Sequence, residues 1–157
     1  MADTFQLQGL DPAFFQPLFA LDDGELRSRG IVRRFADAAD TYPCRVSLGE
    51  AALGEELLLL PFEHQPASSP YRASGPIFVR RGVPLADLAP GELPPYVTKR
   101  VISLRAYDDA HMIVDASVAE GADIGREIRR LLGRADTAYL HLHNAKRGCY
   151  SCKAVRA

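Results

Sequence analysis

Four consecutive leucines limit most strongly what this chain can fold into. They stand in "GEELLLLPFEH", residues 54–64. A strand with one solvated face alternates apolar and polar residues, whereas an uninterrupted apolar run fits a strand that is covered on both faces. The segment therefore predicts a central strand that runs through the core of the fold.

One amphipathic helix is predicted from its apolar spacing. In "ADIGREIRRLLG", residues 122–133, apolar residues recur at helical intervals, with Asp123 as the expected N-cap and Gly133 at the expected end. A second, short helix is predicted to begin at the capping box formed by Asp22 and Glu25. The helical content should therefore be small, with one main helix.

Most of the remaining apolar segments are predicted to be short strands joined by turns. "VISLRAYDDAHMIVDAS" predicts a hairpin, and "TAYLHLH" and "CYSCKAV" predict two strands around "NAKRG". The proline-rich stretch over residues 82–97 is expected to cross the surface rather than to separate domains. We therefore expect an α+β fold: a curved, largely antiparallel sheet with one main helix and short helical turns packed on it.

Length and composition favour one globular domain over residues 1–157, since 47% of the residues are hydrophobic and 25% are charged. The longest apolar run, "LLLLPF", is far shorter than the ~20 residues of a membrane-spanning helix, and no basic stretch with a long apolar run opens the chain. The three cysteines fit free thiols in a reducing compartment. We expect a cytoplasmic protein without a membrane partner, whose oligomeric state the sequence leaves open.

The net charge of -1 is unevenly distributed along the chain. From Gly125 onwards eight basic residues stand against two acidic ones, so that this segment carries +6 and the rest -7. Such cations can complement a helix dipole or attract an anion. The overall balance is not basic, there is no tryptophan, and no recognition-helix or RNA-binding motif is present, so we expect no nucleic-acid partner.

The segment "HLHNAKRGCYSC", residues 141–152, first raises the question of a metal site. Zinc binds cysteine and histidine in a tetrahedron. On a regular strand, however, Cys149 and Cys152 point to opposite faces, whereas His141 and His143 share one face. We therefore expect no metal, and a two-histidine site completed from elsewhere is the alternative. The sequence indicates no particular cofactor.

A nucleophilic cysteine is the second interpretation of this segment. Cys149 follows Lys146 and Arg147, and nearby cations favour the thiolate form. His143 lies across a short turn from Cys149 and could act as its base. Cys149 and His143 would then be the catalytic residues of a cysteine-dependent enzyme. The alternative is that Cys149 is a small buried apolar residue, as cysteines in strands more often are.

The third interpretation is a binding cleft formed by two polar connections. The loop from His64 to Ser74 and the turn from Asn144 to Gly148 both interrupt apolar strands with cationic or hydrogen-bonding side chains. If they lie at the same end of the sheet, they border a cleft suited to a carboxylate or phosphate. The expected ligand-binding residues are His64, Tyr71, Arg72, Asn144, Lys146 and Arg147.

A small anionic molecule is therefore the favoured partner. It ranks ahead of the cysteine-dependent enzyme and of a protein-interaction module, because such a module would present an exposed apolar patch instead of a polar cleft. Whether any reaction is catalysed stays open at this point.

Four segments together resemble the bacterial family catalogued as domain of unknown function 1203: "YPCRVSL", "GEELLLLPFEHQP", "SPYRASGPIFVR" and "HNAKRGCY". The resemblance spans essentially the whole chain and implies a compact intracellular bacterial domain. It brings no activity and no mechanism. The residues around which the matching motifs lie are His64, Tyr71, Arg72, His143, Asn144 and Cys149.

Overall fold

The structure, a computed structural model, describes residues 4–157, in which ten strands form two five-stranded sheets. In chain order the strands are β1 (Phe5–Gln8), β2 (Val32–Phe35), β3 (Pro43–Cys44), β4 (Gly49–Glu50), β5 (Glu56–Gln65), β6 (Ala73–Arg80), β7 (Ile102–Tyr107), β8 (Ile113–Ala119), β9 (Tyr139–Asn144) and β10 (Tyr150–Arg156). The helices are α1 (Asp23–Ser28), α2 (Pro95–Thr98) and α3 (Asp123–Leu132), with 3-10 turns at Pro12–Phe14 and Gln16–Ala20.

The strands divide into two sheets, where the sequence led us to expect one. The first sheet has the order β1-β10-β9-β7-β8 and the second the order β2-β5-β6-β3-β4. Neighbours are antiparallel except β3 and β6. The proline-rich crossing carries the chain from β6 in the second sheet to β7 in the first. Two mostly antiparallel sheets with few helices agree with the α+β class.

The leucine run lies on β5, between β2 and β6, as predicted. Leu58 and Leu60 are buried in a core beneath the N-terminal turns, and Leu57 is buried in a smaller cluster with Ala36. Leu59 is half-buried. Both faces of this strand are thus covered, which accounts for the missing alternation.

The longest of the helices described, α3, packs on one face of the first sheet. Its apolar side chains share the largest core with those of β7, β9 and β10: Ile124, Ile128, Leu131 and Leu132. Asp123 is the first residue of the helix and not its cap, because its amide already donates to the carbonyl of Glu120, 3.2 Å away, in a preceding turn. Gly133 ends the helix as predicted. No helix among residues 4–157 is long and apolar enough to cross a membrane.

The predicted loop from His64 to Ser74 is shorter than expected. Ladder pairs continue to Gln65 opposite Ala73, so β5 contains His64 and β6 begins before Ser74. The sequence-based boundary was wrong because the prolines around this loop do not prevent strand pairing. His64 is therefore held by a sheet and not by a loop.

Candidate functional site

The face of the first sheet opposite α3 carries histidines. On β9, Leu140 and Leu142 are buried in the core beneath α3. Side chains alternate along a strand, so His141 and His143 point to the other face. The register with β7 places Arg105 opposite His141. The sequence pattern Leu-His-Leu-His thus gives one strand an apolar face and a polar face.

A third histidine reaches this face from the second sheet. One ring nitrogen from each of His64, His141 and His143 lies within 4.8 Å of the others, and we refer to these three residues as the histidine cluster. His64 stands in an irregularity of β5, where the register shifts between Phe62 and Gln65. Such bulges often re-aim a side chain beside a functional site.

A second bulge, in β10, adds two side chains to the same face. Tyr150 pairs with His143 and Lys153 pairs with His141, with a register shift between them. Residues three apart on a regular strand would point to opposite faces, so the bulge is what brings both beside the histidines. The alternation that we assumed for Cys149 and Cys152 therefore does not hold across this segment.

Tyrosines surround the histidine cluster. Tyr150 stacks on His64, with ring centroids 5.4 Å apart and planes 7° apart. The Tyr139 hydroxyl lies 2.7 Å from Nδ1 of His111 and accepts a hydrogen bond from Gln65 at 2.9 Å. All four histidines of the chain consequently lie near this face of the first sheet. Packing alone does not require such a concentration of one residue type.

The histidine rings are held neutral by their surroundings. Burial lowers the pKa of His141 to about 3, and the neighbouring His143 and His64 act in the same direction. Burial likewise lowers the pKa of His143 to about 4, against a carbonyl contact that acts the other way. The pKa of His64 is lowered by burial and by the charge of Arg105. At pH 7 the cluster therefore presents nitrogen lone pairs rather than positive charges.

The hydrogen bonds of the cluster are incomplete. Nδ1 of His143 lies 3.0 Å from the carbonyl oxygen of Gly148, to which a neutral ring donates, and its Nε2 lies 3.4 Å from Nη1 of Arg105. Nδ1 of His64 and Nδ1 of His141 are buried and have no hydrogen-bond partner among residues 4–157. Such orphaned polar atoms are uncommon in native proteins.

A second polar region, which we call the cationic cavity, borders the turn that follows β9. Its volume is about 1130 Å³. Among residues 4–157 the wall contains Asn144 at the end of β9, the half-buried Cys149, the aromatic rings of Tyr42 and Phe78, and one acid, Glu120. Six cations line it: Arg34, Arg45, Lys99, Arg100, Lys146 and Arg147.

Two of these cations are neutralised within the protein. Lys99 pairs with Asp40 at 2.7 Å, and Arg100 pairs with Glu50. The other four form no ion pair with any residue in the described part of the chain, residues 4–157. The cavity therefore has an excess of positive charge.

Arg45 is the buried member of this set, with only 3% of its surface exposed. Its Nε donates to the carbonyl of Tyr150 at 2.8 Å and its Nη1 donates to the carbonyl of Pro43 at 2.6 Å. Carbonyl oxygens satisfy these donors without supplying a counter-charge. A buried cation without an anionic partner is costly, which makes Arg45 the most informative residue of the cavity.

The structure divides the six predicted ligand-binding residues among three places. Asn144, Lys146 and Arg147 line the cavity, and His64 belongs to the histidine cluster. Tyr71 and Arg72 lie outside both. Tyr71 packs edge-on against another tyrosine, and the exposed Arg72 pairs at 2.9 Å with Glu63 on the same hairpin. The loop and the turn consequently do not form the single cleft that we expected.

The two predicted catalytic residues also face different surroundings. Cys149 lines the cavity, whereas the ring nitrogens of His143 contact Gly148 and Arg105. The structure thus shows His143 engaged elsewhere than with the Cys149 thiol. Cys152 is buried in the core beneath α3, so the two cysteines of the final segment do not converge either.

The fold is an α+β domain of two mostly antiparallel sheets with few helices. The chain belongs to the family described as Protein of unknown function (DUF1203), whose model matches residues 41–156. This confirms the resemblance found in the sequence. The matched range includes the whole histidine cluster and every residue lining the cavity except Arg34. No curated protein and no solved structure matches the chain.

In the native protein, Cys149 is expected to react with iodoacetamide well before Cys44 and Cys152. Cys149 is half-buried beside the cations Lys146 and Arg147, whereas the other two thiols are buried, and burial raises the pKa of Cys152 to about 12. Mass spectrometry after brief labelling measures the order of modification. Earlier modification of Cys44, or no modification before unfolding, would remove most of the case for a reactive cysteine.

Proposed function

We propose that the protein binds a small anionic molecule in the cationic cavity. The observation that carries this proposal is the buried Arg45, whose side chain is held by two carbonyls and lacks a carboxylate partner within residues 4–157. A carboxylate or phosphate in the cavity would supply the missing charge and form charge-assisted hydrogen bonds. The flexible cations of the turn, Lys146 and Arg147, would close on the same group.

The ligand should also have an apolar or planar part. Tyr42 and Phe78 meet edge to face in the wall, with centroids 5.2 Å apart, and Leu59, Pro43 and Pro76 extend the apolar lining. Ligand pockets typically combine such a lining with a few placed polar groups, at volumes of about 300 to 1,000 Å³. The cavity therefore suits a metabolite-sized anion better than a bare inorganic ion.

A reaction that uses Cys149 is the second candidate function, because its thiol lines the same cavity as the proposed ligand. Among residues 4–157 no base is hydrogen-bonded to this thiol, so binding is the function that we favour. We place this function in the bacterial cytoplasm, where a reducing environment fits the three free thiols.

A thermal-shift screen against phosphate esters and carboxylates is expected to find compounds that raise the melting temperature. Arg147→Ala should then weaken binding of the best compound by about tenfold or more, since a charge-assisted hydrogen bond contributes roughly 1.5 to 3 kcal/mol. The melting temperature of the free protein should change little, because this side chain is exposed.

Arg72→Ala is the matched control, because Arg72 is an exposed arginine outside the cavity. It should leave binding unchanged. A screen in which no anion stabilises the protein, or in which Arg72→Ala weakens binding as much as Arg147→Ala, would contradict the proposed function.

A further inference from the structure

We propose that the histidine cluster is a binding site for a divalent transition-metal ion of the zinc type, with His64, His141 and His143 as its ligands. This site is separate from the cationic cavity, and it does not depend on the function proposed for the cavity. The inference departs from the expectation of no metal, which rested on the geometry of two cysteines that take no part in this cluster.

The geometry is close to that of a metal site. The three ligating nitrogens lie within 4.8 Å of one another. Around a tetrahedral zinc ion with Zn–N bonds of 2.0 to 2.1 Å they would be about 3.4 Å apart. Rotation of the side chains, above all of the half-buried His64, can supply this contraction without moving a strand.

The unsatisfied nitrogens point to the same conclusion. Nδ1 of His64 and Nδ1 of His141 are buried without a hydrogen-bond partner among residues 4–157. The Nδ1 contact of His143 with the Gly148 carbonyl fixes the ring and leaves Nε2 as its lone-pair nitrogen. Metal-binding histidines are commonly oriented by such a bond from the second nitrogen.

The donor set also indicates the kind of metal. Imidazole ligands favour zinc, cobalt, nickel or copper, whereas magnesium and calcium prefer oxygen. Three protein ligands leave a fourth coordination position open, which is the pattern of zinc centres that bind water or a substrate. We therefore expect an accessible ion and not a purely structural one.

Arg105 opposes metal binding and provides a test of opposite sign. Its Nη1 lies 3.4 Å from Nε2 of His143, so the guanidinium competes for that lone pair and repels a cation. Replacing it by methionine keeps an unbranched side chain while it removes the charge. Arg105→Met should therefore tighten zinc binding by about tenfold or more, which no merely structural role of the histidines would produce.

The experiment is calorimetric titration of chelator-treated, metal-free protein with zinc chloride. We expect one zinc ion per chain, and binding weakened at least tenfold in His64→Gln and in His141→Gln. Cobalt added in place of zinc should give the visible absorption of a site with nitrogen ligands. The matched controls are His111→Gln, which changes the histidine outside the cluster, and Cys149→Ser, which removes the half-buried thiol. Both should bind zinc like the unaltered protein.

Because His64 is only half-buried, His64→Gln is expected to fold even if the variant of the buried His141 does not. The test then rests on His64→Gln. Circular dichroism establishes which variants are folded. Three results would each overturn the proposal: no stoichiometric zinc in the unaltered protein, unchanged binding in folded His64→Gln, or an equal loss in His111→Gln.

Discussion

Lowering the pH from 7 to 4 is expected to destabilise the metal-free protein strongly. In the folded state burial lowers the pKa of His141 to about 3 and that of His143 to about 4, from an ordinary value of 6.5. Below pH 6.5 the unfolded chain therefore binds protons that the folded protein does not. Stability is fully present above this pH and is lost as the pH falls towards the folded pKa values.

The expected effect is large compared with the stability of a typical domain. Each histidine contributes about 1.4 kcal/mol per pH unit, so that the pair removes about 5 kcal/mol between pH 6.5 and pH 4.5. Native domains are stable by only about 5 to 15 kcal/mol. Urea unfolding at a series of pH values, with a chelator present, measures the slope.

Variants distinguish the contribution of these histidines to the pH dependence of stability from that of other titrating groups. A folded His141→Gln variant should lose about half of the slope, because its contribution is removed from both states. His111→Gln should keep the slope, since His111 lies outside the histidine cluster. A free energy of unfolding that stays constant from pH 6.5 to pH 4.5 would show that the cluster is hydrated and readily protonated.

Gly9→Ala is expected to destabilise the folded protein strongly. A Cβ atom at Gly9 would lie 2.2 Å from the carbonyl oxygen of Val46 and 3.2 Å from that of Arg45. Both obstacles are backbone, so β1 or the turn that carries Arg45 must move. Overpacking usually costs about 1 to 3 kcal/mol, and a backbone obstacle belongs at or above the upper end of that range.

Gly75→Ala is the matched control, because a Cβ atom there meets nothing within 4 Å. Chemical denaturation should show a loss of about 3 kcal/mol for Gly9→Ala and almost none for Gly75→Ala. Equal stabilities of the two variants would mean that the contact between Gly9 and the 45–46 backbone is looser than the structure shows.

The local elements were largely predictable from the sequence. The leucine run, the apolar spacing of α3 and the strand pair around "NAKRG" each depend on neighbours in the chain, and the structure confirms them. The division into two sheets was not predictable, because short strands of similar composition carry no record of their partners. The predicted N-cap of α3 was wrong because the amide of Asp123 already donates to a carbonyl oxygen in the preceding turn.

The sites were predictable only where their residues are close in sequence. His141 and His143 are two residues apart, so a shared strand face followed directly from alternation. His64 joins them through strand packing and a bulge, neither of which leaves a pattern that alternation can detect. Likewise the turn residue Arg147 was identified, whereas the buried Arg45 was not among the predicted ligand-binding residues. Its environment depends on a contact with β10, more than a hundred residues away.

The most direct test of ligand binding in the cationic cavity is a ¹⁵N NMR titration that follows arginine side chains and backbone amides as phenyl phosphate, an anion with a planar ring, is added. The account predicts saturable shifts, fitted by one site, of the Arg45 Nε–H and of the amides from 144 to 149, with saturation lost or weakened about tenfold or more in Arg147→Ala. Arg72 should not shift. A linear, unsaturated response that includes Arg72 and leaves the Arg45 resonance in place would show that anions only screen the surface, and would contradict the account.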